Sequence, residues 1–339
     1  MPNKIIVSVV MPVYNEEKYI EKCVDSLLLQ DYPIEKMEWI FVDGCSNDKT
    51  VDILREYQIK YPELIKIHNN KQKIVPYAMN IGIQASRGKY IVRLDAHAGY
   101  AKDYISKCIY YLENTEAENV GGVAETKANG FWGNAIAKML SSKFGVGNSQ
   151  FRTNGESGYV DTVPFGAFKR EVFSKYGGYD ERLVRNQDNE MNFRIRKNGG
   201  KIYLSSDIHL SYYCRDSIKE IASMAKKNGM WNIITIKLCP GSMGARHFIP
   251  FLFVSSVLCL GILGMIHSIF WVLLGIEAVL YFLLDILFSI KQALNIKETF
   301  ALILLFPIFH IAYGIGSIIG ITKLFSKEFK KGNYANKKI

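Results

Sequence analysis

A carboxylate and an imidazole follow the end of one apolar segment, at a spacing that suits a shared ligand. The segment YIVRL, residues 90–94, is mostly apolar and predicts a buried strand. Asp95 and His97 come directly after it, with the small residue Ala96 between them. Because alternate side chains of an extended backbone point to the same side, both groups can face one site. Mg²⁺ prefers oxygen ligands and Mn²⁺ also accepts imidazole, so the pair predicts a site for Mn²⁺ or Mg²⁺ beside a diphosphate.

Polar residues also follow the neighbouring predicted strands. Asn15 and Glu16 follow the first apolar run of the chain, and Asp43 follows the second. Each position alone has a purely structural explanation: Asn15 as a helix cap, Asp43 as a turn residue and Asp95 as a turn cap beside a solvated His97. Together they indicate a binding site at one edge of a sheet.

The elements around these residues predict the fold class. Apolar strands alternate with helices, which favours an α/β fold with a doubly wound, mostly parallel sheet. Ligands of such sheets bind at the carboxyl ends of the strands. The first strand is not followed by GxGxxG, and GxxxxGK[ST] is absent from the sequence, so dehydrogenase and P-loop sites lose their main support. Helices are predicted at 18–30, 50–60 and 77–85, and strands at 38–43, 65–68 and 90–94.

The charge distribution favours a membrane partner over a nucleic acid. The formal net charge is +10, and a lysine-rich stretch occupies residues 323–339, after the apolar region. Lysines beside hydrophobic spans typically mark the cytoplasmic side and contact anionic lipids. The six cysteines include no CxxC pair, which is typical of reduced residues in a cytosol-facing protein. We therefore expect membrane lipids and no nucleic acid among the partners.

Three apolar segments have spanning length, since about 20 residues cross the hydrocarbon of a bilayer. They are 248–266, 269–289 and 300–322. The first two can form a hairpin that keeps the flanking lysines cytoplasmic. A third full crossing would put the lysine-rich tail outside, against the same rule. The third segment is therefore either re-entrant or interfacial, bent at Pro307, or it crosses in violation of the rule.

The domain organisation follows from these segments. We predict a catalytic domain over 1–235, a juxtamembrane linker over 236–247, a membrane region over 248–322 and a basic cytoplasmic tail over 323–339. Within the first domain, residues 217–227 predict an amphipathic helix that can lie on the membrane surface. The protein is expected to be a multi-pass protein of the cell membrane with its catalytic domain in the cytoplasm.

Residues 1 to about 235 resemble the family-2 glycosyltransferases. The stretches VVMPVYNEEKYIEKCVDSLLLQDYP, WIFVDGCSNDKTVDIL and YAMNIGIQASRGKYIVRLDAHA carry this resemblance. The Asp–Ala–His–Ala form and the later GAFKREVFSKYGGYDERLVRNQDNEMNFRIRKNGGKIY are similar to succinoglycan-type glucosyltransferases of exopolysaccharide assembly. The resemblance implies a GT-A nucleotide-sugar fold followed by transmembrane helices.

The resemblance also implies roles for the polar residues. The family's usual metal motif is Asp–x–Asp, and His97 replaces the last Asp, which leaves the identity of the metal and its strict requirement open. His209 is a further candidate ligand beside Asp95 and His97. The residues expected at the nucleotide-sugar are Pro12, Tyr14, Asn15, Glu16, Asp43 and Asp95.

A second motif supplies the candidate base. In RNQDNEMNFRIRKNGG, Asp188 falls in the first turn of a predicted helix, where a carboxylate also favours the helix dipole. In the family, the Asp of a Glu–Asp pair at this place is the catalytic base, and here Gln187 replaces the Glu. Family members often carry a Gln/Arg–x–x–Arg–Trp box further along the chain. In this sequence the box is degenerate, and only its Trp, Trp231, is retained. The acceptor-side residues implied by the resemblance are Gly166, Ala167, Gln187 and Trp231. For Trp231 an anchor at the membrane interface is the equal alternative.

These features predict a membrane-anchored, inverting and metal-dependent hexosyltransferase. It would move a sugar from a nucleoside-diphospho-sugar, with UDP favoured, to a lipid-linked or saccharide acceptor. A close alternative transfers the sugar to polyprenyl phosphate itself. A processive synthase would need more spans and an intact Trp box. A non-catalytic protein that binds nucleotide-sugars is supported only by the altered motifs, and retention of Asp188 argues against it.

Overall fold

The structure is a computed structural model, and it describes residues 4–153 and 155–330. The described residues form nine strands and thirteen α-helices. The strands are β1 (Val7–Val13), β2 (Met37–Asp43), β3 (Ile65–Asn69), β4 (Tyr90–Arg93), β5 (Ala98–Tyr100), β6 (Ala117–Lys127), β7 (Gly158–Tyr159), β8 (Ala167–Lys169) and β9 (Lys201–Tyr213). The helices are α1 (Ile20–Leu28), α2 (Thr50–Lys60), α3 (Val75–Ala85), α4 (Tyr104–Asn114), α5 (Gly130–Leu140), α6 (Lys143–Val146), α7 (Glu171–Tyr176), α8 (Gln187–Lys197), α9 (Ile218–Leu238), α10 (Ile249–Gly264), α11 (Ile269–Gln292), α12 (Ile296–Leu324) and α13 (Lys327–Lys330).

The chain divides into two compact units. Among the described residues, one unit holds 4–125 and 155–212, and the other holds 126–153 and 213–330. The first contains the sheet and its helices, and the second is helical. The predicted domain boundary at 235 falls within α9, whose last residues also occupy the start of the predicted 236–247 linker. Most of the predicted basic tail, residues 331–339, lies outside the described part of the chain.

The first unit is built on one mixed sheet. Its strand order is β3-β2-β1-β4-β8-β6-β9-β5, and β7 pairs with β9. The strands from β3 to β4 are parallel, whereas β8 pairs antiparallel with both β4 and β6, and β5 with β9. In the parallel part, Val13 is in register with Asp43, and Asp43 with Asn69. The carboxyl ends of β1, β2 and β3 are therefore level, and the loops after them share one edge.

Local patterning explains these elements. All seven residues of β2 are buried, as expected for a central parallel strand. Helix α1 buries Ile20, Cys23, Val24 and Leu27, one stripe at helical spacing. Helix α2 has the predicted bounds, and α1 begins two residues later than predicted. Gly82 of α3 lies against Val10 so closely that a Cβ would overlap the valine side chain, so glycine permits this packing.

A buried carboxylate joins three parts of the sheet unit. Glu38 has no exposed side-chain surface and accepts hydrogen bonds from Ser8 Oγ (2.7 Å), Lys66 Nζ (2.7 Å) and Arg87 Nε (2.9 Å). Burial by itself would raise the pKa of Glu38, but Lys66, Ser8 and Arg87 stabilise the carboxylate and bring that pKa below its ordinary value. Its ionised form therefore stabilises the fold.

We expect Glu38→Gln to lower stability at neutral pH by about 2 kcal/mol, since it removes charge-assisted hydrogen bonds from a buried position. For a chain of 339 residues this is about 3 °C in Tm, measured by thermal unfolding of the detergent-purified protein. Because the folded-state pKa of Glu38 is lowered, its contribution is present above pH 4.5 and is lost as pH falls through the folded-state value. The deficit of the variant should therefore shrink towards pH 4. Glu35→Gln, at an exposed position nearby, should change Tm little, and an equal loss in both variants would contradict this account.

The second unit is a helical assembly around α12. Its core contains residues of α5, α9 and α12 that have at most 4% exposed surface. Lys138 of α5 forms an ion pair with Glu298 in the first turn of α12. The core residues are Ala135, Ile136, Met139, Leu140, Ile221, Ala225, Ala301, Leu302, Leu305, Phe306 and Phe309.

Three helices of this unit are long and apolar enough to cross a membrane. They cover Ala245–Gly264, Ile269–Gln292 and Ile296–Leu324, with the short 3₁₀ turn before α10 included in the first. Pro307 lies inside α12, and the helix continues through it without interruption. The chain therefore does not end a helix at this proline.

Candidate active site

Two loops at the carboxyl ends of β1 and β2 are tied together by hydrogen bonds. Asn15 has a positive φ of 56°, a conformation that Asn tolerates better than most residues. Its backbone N–H donates to Ser46 Oγ (2.9 Å), and its Oδ1 accepts from the Asn47 N–H (2.9 Å). The Glu16 N–H donates to Thr50 Oγ1 (2.7 Å). Asn15 therefore joins the two loops and does not cap α1, whose N-cap residue is Tyr19.

A cavity of about 120 Å³ opens beside these loops. Five of the predicted site residues contribute to its lining, although they come from two separate parts of the sequence. The lining residues are Pro12, Val13, Tyr14, Glu16, Val42, Gly44, Asn70, Lys73, Ile74, Val75, Ala78, Asp95 and His97. The loops after β1, β2, β3 and β4 thus meet at the edge where parallel sheets bind ligands.

Asp95 and His97 are held by different partners. The hydroxyl of Tyr100 accepts from the Asp95 N–H (2.8 Å) and donates to the Asp95 carbonyl (3.0 Å), which fixes the backbone there. His97 Nδ1 lies 3.1 Å from Glu16 Oε1, and the His97 ring has an edge contact with Tyr212. Asp95, His97 and Glu16 therefore form a small group of acidic and imidazole side chains on one wall of the cavity.

Arg93 connects this group to the candidate base. It is the last residue of β4, two residues before Asp95, and it is almost fully buried. Its guanidinium forms an ion pair with Asp188 and lies 3.4 Å from Asp95 Oδ1. Burial by itself would lower the pKa of Arg93, but neighbouring groups, Asp95 foremost, raise it above its ordinary value. One buried cation therefore stands between the two carboxylates.

Asp188 lies in the first turn of α8, as predicted. The residue before the helix, Asn186, has a positive φ of 63°. The Asp188 side chain is 33% exposed, so solvent reaches it. Glu190 is turned away and pairs with Arg194 (2.7 Å), the i,i+4 partner on the same helix.

Gln187 departs from the simple picture of a surface residue. It is buried, and its Oε1 has no hydrogen-bond partner among the described residues. A buried acceptor without a partner is costly, which marks this position as a place for a ligand donor or water. Its predicted acceptor-side role stays a prediction.

Asp43 is engaged in a turn. It is 3% exposed, and its carboxylate accepts from the Ser46 Oγ (2.6 Å) and the Ser46 N–H. It is not one of the residues lining the cavity of the described chain. These contacts match the interpretation of Asp43 as a turn residue. Its contact with the nucleotide stays a prediction.

The remaining predicted residues lie apart from the cavity wall. His209 is exposed on β9, close enough to Asp103 to lower the pKa of that carboxyl slightly, after the larger effect of Lys107. Gly166 directly precedes strand β8, which begins at Ala167, and the neighbouring Phe165 has a positive φ of 44°. The acceptor-side role of Gly166 and Ala167 stays a prediction. The Gly166 carbonyl accepts from the Arg93 N–H (3.0 Å).

Trp231 belongs to the helical unit. It is 2% exposed within α9, so its indole lies in the interior of the protein. Its acceptor-side role stays a prediction.

Sequence reasoning missed Arg93, Asn70 and Lys73. Asn70 and Lys73 follow β3, so the strand-end rule that selected Asp43 would also have found them. An arginine inside an apolar strand is itself a signal, because a buried charge needs a partner. What the sequence does not reveal is that the partner is 95 residues further on.

The donor set suits a divalent cation that also binds phosphate. No group of three or more His, Cys, Asp and Glu with ligand geometry occurs among residues 4–153 and 155–330. Asp95 and His97 nevertheless supply oxygen and imidazole donors on one cavity wall, and Mg²⁺ is commonly held by one or two carboxylates plus substrate phosphates.

Burial, with Asp95 and Glu16 nearby, raises the pKa of the adjacent Cys23 thiol to about 12, so this cysteine is not a thiolate at neutral pH.

Comparison with known proteins gives the family. The sequence profile described as "Glycosyl transferase family 2" matches residues 8–177, which include the strand-end loops and Asp95. The chain belongs to glycosyl transferase family 2. This confirms the resemblance predicted from the motifs.

Relatives of this family resemble the chain over different lengths. It is 30% identical over 324 residues to a Methanococcus voltae protein, covering 94% of this chain and 97% of that protein. That relative is named "Dolichyl N-acetyl-alpha-D-glucosaminyl phosphate 3-beta-D-2,3-diacetamido-2,3-dideoxy-beta-D-glucuronosyltransferase". This chain is also 28% identical over 209 residues to the succinoglycan biosynthesis protein ExoA of Rhizobium meliloti, covering 61% of this chain and 63% of that protein.

A solved structure supports the fold. The mannosyltransferase PcManGT from Pyrobaculum calidifontis, solved with GDP-Man and Mn²⁺, matches with a TM-score of 0.63 and 19% identity. The match covers 95% of this chain and 88% of that one. The mixed sheet of the first unit is therefore a GT-A fold, as predicted.

Proposed function

We propose that this family-2 glycosyltransferase is a membrane-anchored, inverting enzyme that transfers a sugar from a nucleoside-diphospho-sugar, with UDP favoured, to a lipid-linked acceptor. The observation that carries this proposal is the chain of contacts from the cavity wall to the helix start. Asp95 and His97 line the cavity, and Arg93 joins Asp95 to Asp188. A donor-binding group and a candidate base are thus linked by one buried residue.

The proposed reaction is a single displacement. The oxygen of an acceptor hydroxyl attacks the anomeric carbon, and the bond from that carbon to the diphosphate oxygen breaks. The leaving nucleoside diphosphate takes the electron pair of that bond, and the hydroxyl proton passes to Asp188 as general base. Attack from the face opposite the leaving group inverts the anomeric configuration. The Arg93 guanidinium forms an ion pair with Asp188 and holds its carboxylate in place.

Donor binding is assigned to the cavity. Glu16 holds His97, and Tyr100 fixes the backbone of Asp95, so both candidate ligands are oriented before the donor arrives. We assign Asp95 and His97 as the residues that would hold Mn²⁺ or Mg²⁺. When bound there, the ion would offset the negative charge of the diphosphate. Lys73 lines the same cavity and would contribute a further positive charge.

The lipid-linked acceptor is supported by two features. The Methanococcus voltae relative, aligned over nearly the whole chain, has a dolichyl phosphate derivative in its name. The chain also carries three helices that are apolar enough for a membrane. We place the catalytic domain at the cytoplasmic face of a cell membrane, since the lysines flanking the apolar helices favour that side. Polyprenyl phosphate as the direct acceptor remains the second candidate.

The proposal is tested by assaying nucleoside diphosphate release from the detergent-purified, full-length protein. A panel of UDP- and GDP-sugars is combined with lipid extract or with polyprenyl phosphate. We expect release that depends on one donor and on lipid, and analysis of the product distinguishes the two acceptors. Tight UDP binding without release from any donor would instead favour a non-catalytic, nucleotide-sugar-binding protein.

Metal removal gives a further prediction. Treatment with EDTA should abolish release, and added Mn²⁺ or Mg²⁺ should restore it. Asp95→Asn should raise the metal concentration needed for half-maximal activity by about tenfold or more, since one carboxylate ligand is lost. Asp52→Asn, at an exposed position on α2, is the matched control and should behave like the wild type. Full activity in EDTA would overturn the metal assignment.

A further inference from the structure

The three apolar helices have similar hydropathy but very different surroundings. The most apolar windows of the first two are 11% and 6% buried, whereas that of α12 is 44% buried. Helices α10 and α11 are thus exposed on nearly all sides, as a spanning hairpin in lipid would be. Helix α12 is covered by protein along one face. Composition alone does not separate the three.

The element that covers α12 is α9, and the two helices pack very closely. A Cβ at Gly316 of α12 would overlap the Lys226 carbonyl, and one at Gly229 of α9 would overlap the Tyr313 carbonyl. Ser317 Oγ donates to the Gly229 carbonyl (3.2 Å). Small residues allow this close backbone approach. The contacts join the central part of α9 to the central part of α12.

Helix α9 carries lysines on its outer face. Lys219, Lys226, Lys227 and Lys237 are all exposed, and α9 is not among the candidate spans found in the described residues. If α12 crossed the membrane, the middle of α9 would cross with it. Lys226 and Lys227 would then lie near the centre of the bilayer, where each costs about 2.5–3.5 kcal/mol on insertion scales. A spanning α12 is therefore unfavourable for a reason that its own sequence does not show.

The contacts of α12 with the hairpin point the same way. Gly314 packs against Pro250 and Val254, which lie in the first turns of α10. His310 Nδ1 lies 2.9 Å from the Tyr281 hydroxyl. The outer half of α10 is left bare, with Ile262 58% exposed. Helix α12 therefore meets the hairpin at the first turns of α10 and near the middle of α11.

The face of α12 opposite the packed face is an apolar stripe. Phe300, Leu304, Ile311 and Ile315 are 42–67% exposed and recur at spacings of four, seven and four residues, which places them on one side of the helix. Together with Phe282 of α11 they line a groove of about 640 Å³. All side chains that line this groove are apolar. This stripe needs an apolar partner.

We propose that α12 does not cross the membrane. It lies with α9 along the cytoplasmic surface, with its stripe among the acyl chains next to the headgroups, and only α10 and α11 span. The partner of this surface is a bilayer containing anionic lipids, which the exposed lysines of α9 attract. The arrangement also keeps the lysine-rich residues 323–339 on the cytoplasmic side, which a third crossing would not. This inference rests on the membrane attachment in the proposed function and not on its chemistry.

Cysteine labelling of the full-length protein in intact cells tests the topology. Cys45, Cys214, Cys239 and Cys259 are replaced by serine, while the buried Cys23 and Cys108 remain. Single cysteines are then introduced as His267→Cys between α10 and α11, Leu294→Cys between α11 and α12, and Ser326→Cys after α12. A membrane-impermeant maleimide is applied before and after permeabilisation.

We expect position 267 to react in intact cells, and positions 294 and 326 to react only after permeabilisation. Reaction at 326 in intact cells, with 294 still protected, would show a third crossing and overturn the proposal. Protection of 267 in intact cells would overturn the hairpin itself, and with it the membrane attachment in the proposed function. Transferase activity is assayed separately, so its failure is distinguishable from either result.

A depth measurement checks the orientation of the stripe. Spin labels are attached at Leu304→Cys and Ile315→Cys in the same background, reconstituted into vesicles containing anionic lipid. The two positions are 11 residues apart, or about 16 Å along a helix axis. A helix lying along the surface gives both labels the same shallow depth. A difference approaching about 16 Å would contradict the proposal, and Ile262→Cys in α10 provides the deep reference.

Discussion

Asp188→Asn is expected to lower kcat by about 10³- to 10⁴-fold, the upper range for loss of a general base. The substitution keeps the size of the side chain and leaves it able to accept a hydrogen bond from Arg93, but it removes the group that takes the proton. Nucleotide binding should change little, because Asp188 is not among the residues that line the cavity. Measured kcat and the dissociation constant of UDP should therefore separate clearly.

Glu190→Gln is the matched control for this experiment. Glu190 is a carboxylate two residues further on α8, but it is paired with Arg194 and turned away from Arg93. We expect it to retain activity within a few fold of the wild type. If Asp188→Asn kept more than about a tenth of wild-type kcat, or if Glu190→Gln lost as much, the base would lie elsewhere.

Sequence patterns predicted the parallel half of the sheet well because β1, β2 and β4 are mostly buried runs, and β1, β2 and β3 are each followed by a helix. The register of β1, β2 and β3 places Val13, Asp43 and Asn69 at the same level. Loops that are far apart in sequence therefore meet at one edge. That is why Glu16 and Asp95 could be grouped from strand ends alone, whereas Pro12 was named from the family resemblance. The antiparallel strands were harder to predict from the sequence, since β5 and β8 have only three residues each and show no periodicity.

The contacts of individual side chains were harder to predict. Asn15 and Asp43 had both structural and functional interpretations, and only the structure shows that each is engaged with the loop around Ser46. Turn chemistry and ligand chemistry use the same residue types, so spacing cannot separate them. For α12 the difficulty was different: hydropathy describes one segment at a time, whereas its surroundings depend on α9.

Arg93 illustrates most clearly what a linear pattern cannot supply. In YIVRL the arginine interrupts an apolar strand, and its nearest carboxylate in sequence is Asp95. The structure adds Asp188, which comes from the other half of the fold. A guanidinium can donate to two carboxylates at once, which a lysine cannot do with the same geometry. This residue therefore couples the donor side of the proposed site to the base.

Arg93→Met is accordingly expected to lower kcat by about 10²-fold or more, because a base displaced by about 1 Å can cost that much. Arg93 acts through Asp188 and Asp95 and is a positioning residue in this account. A carboxylate that loses a guanidinium partner holds its proton more tightly, so the acidic limb of the pH–rate profile should move to higher pH. Arg93→Lys restores the charge without the fork and should recover part of kcat and most of the pH profile.

The matched control is Arg182→Met, which removes an arginine from a solvent-exposed pair with Asp180. Exposed pairs contribute little, so kcat, the pH profile and Tm should all stay near wild-type values. Thermal unfolding of Arg93→Met separates a folding defect from a catalytic one. A loss of kcat with an unmoved pH profile would show that Arg93 only supports the fold. A shifted profile with partial rescue by lysine would show that the buried guanidinium sets the ionisation of the base.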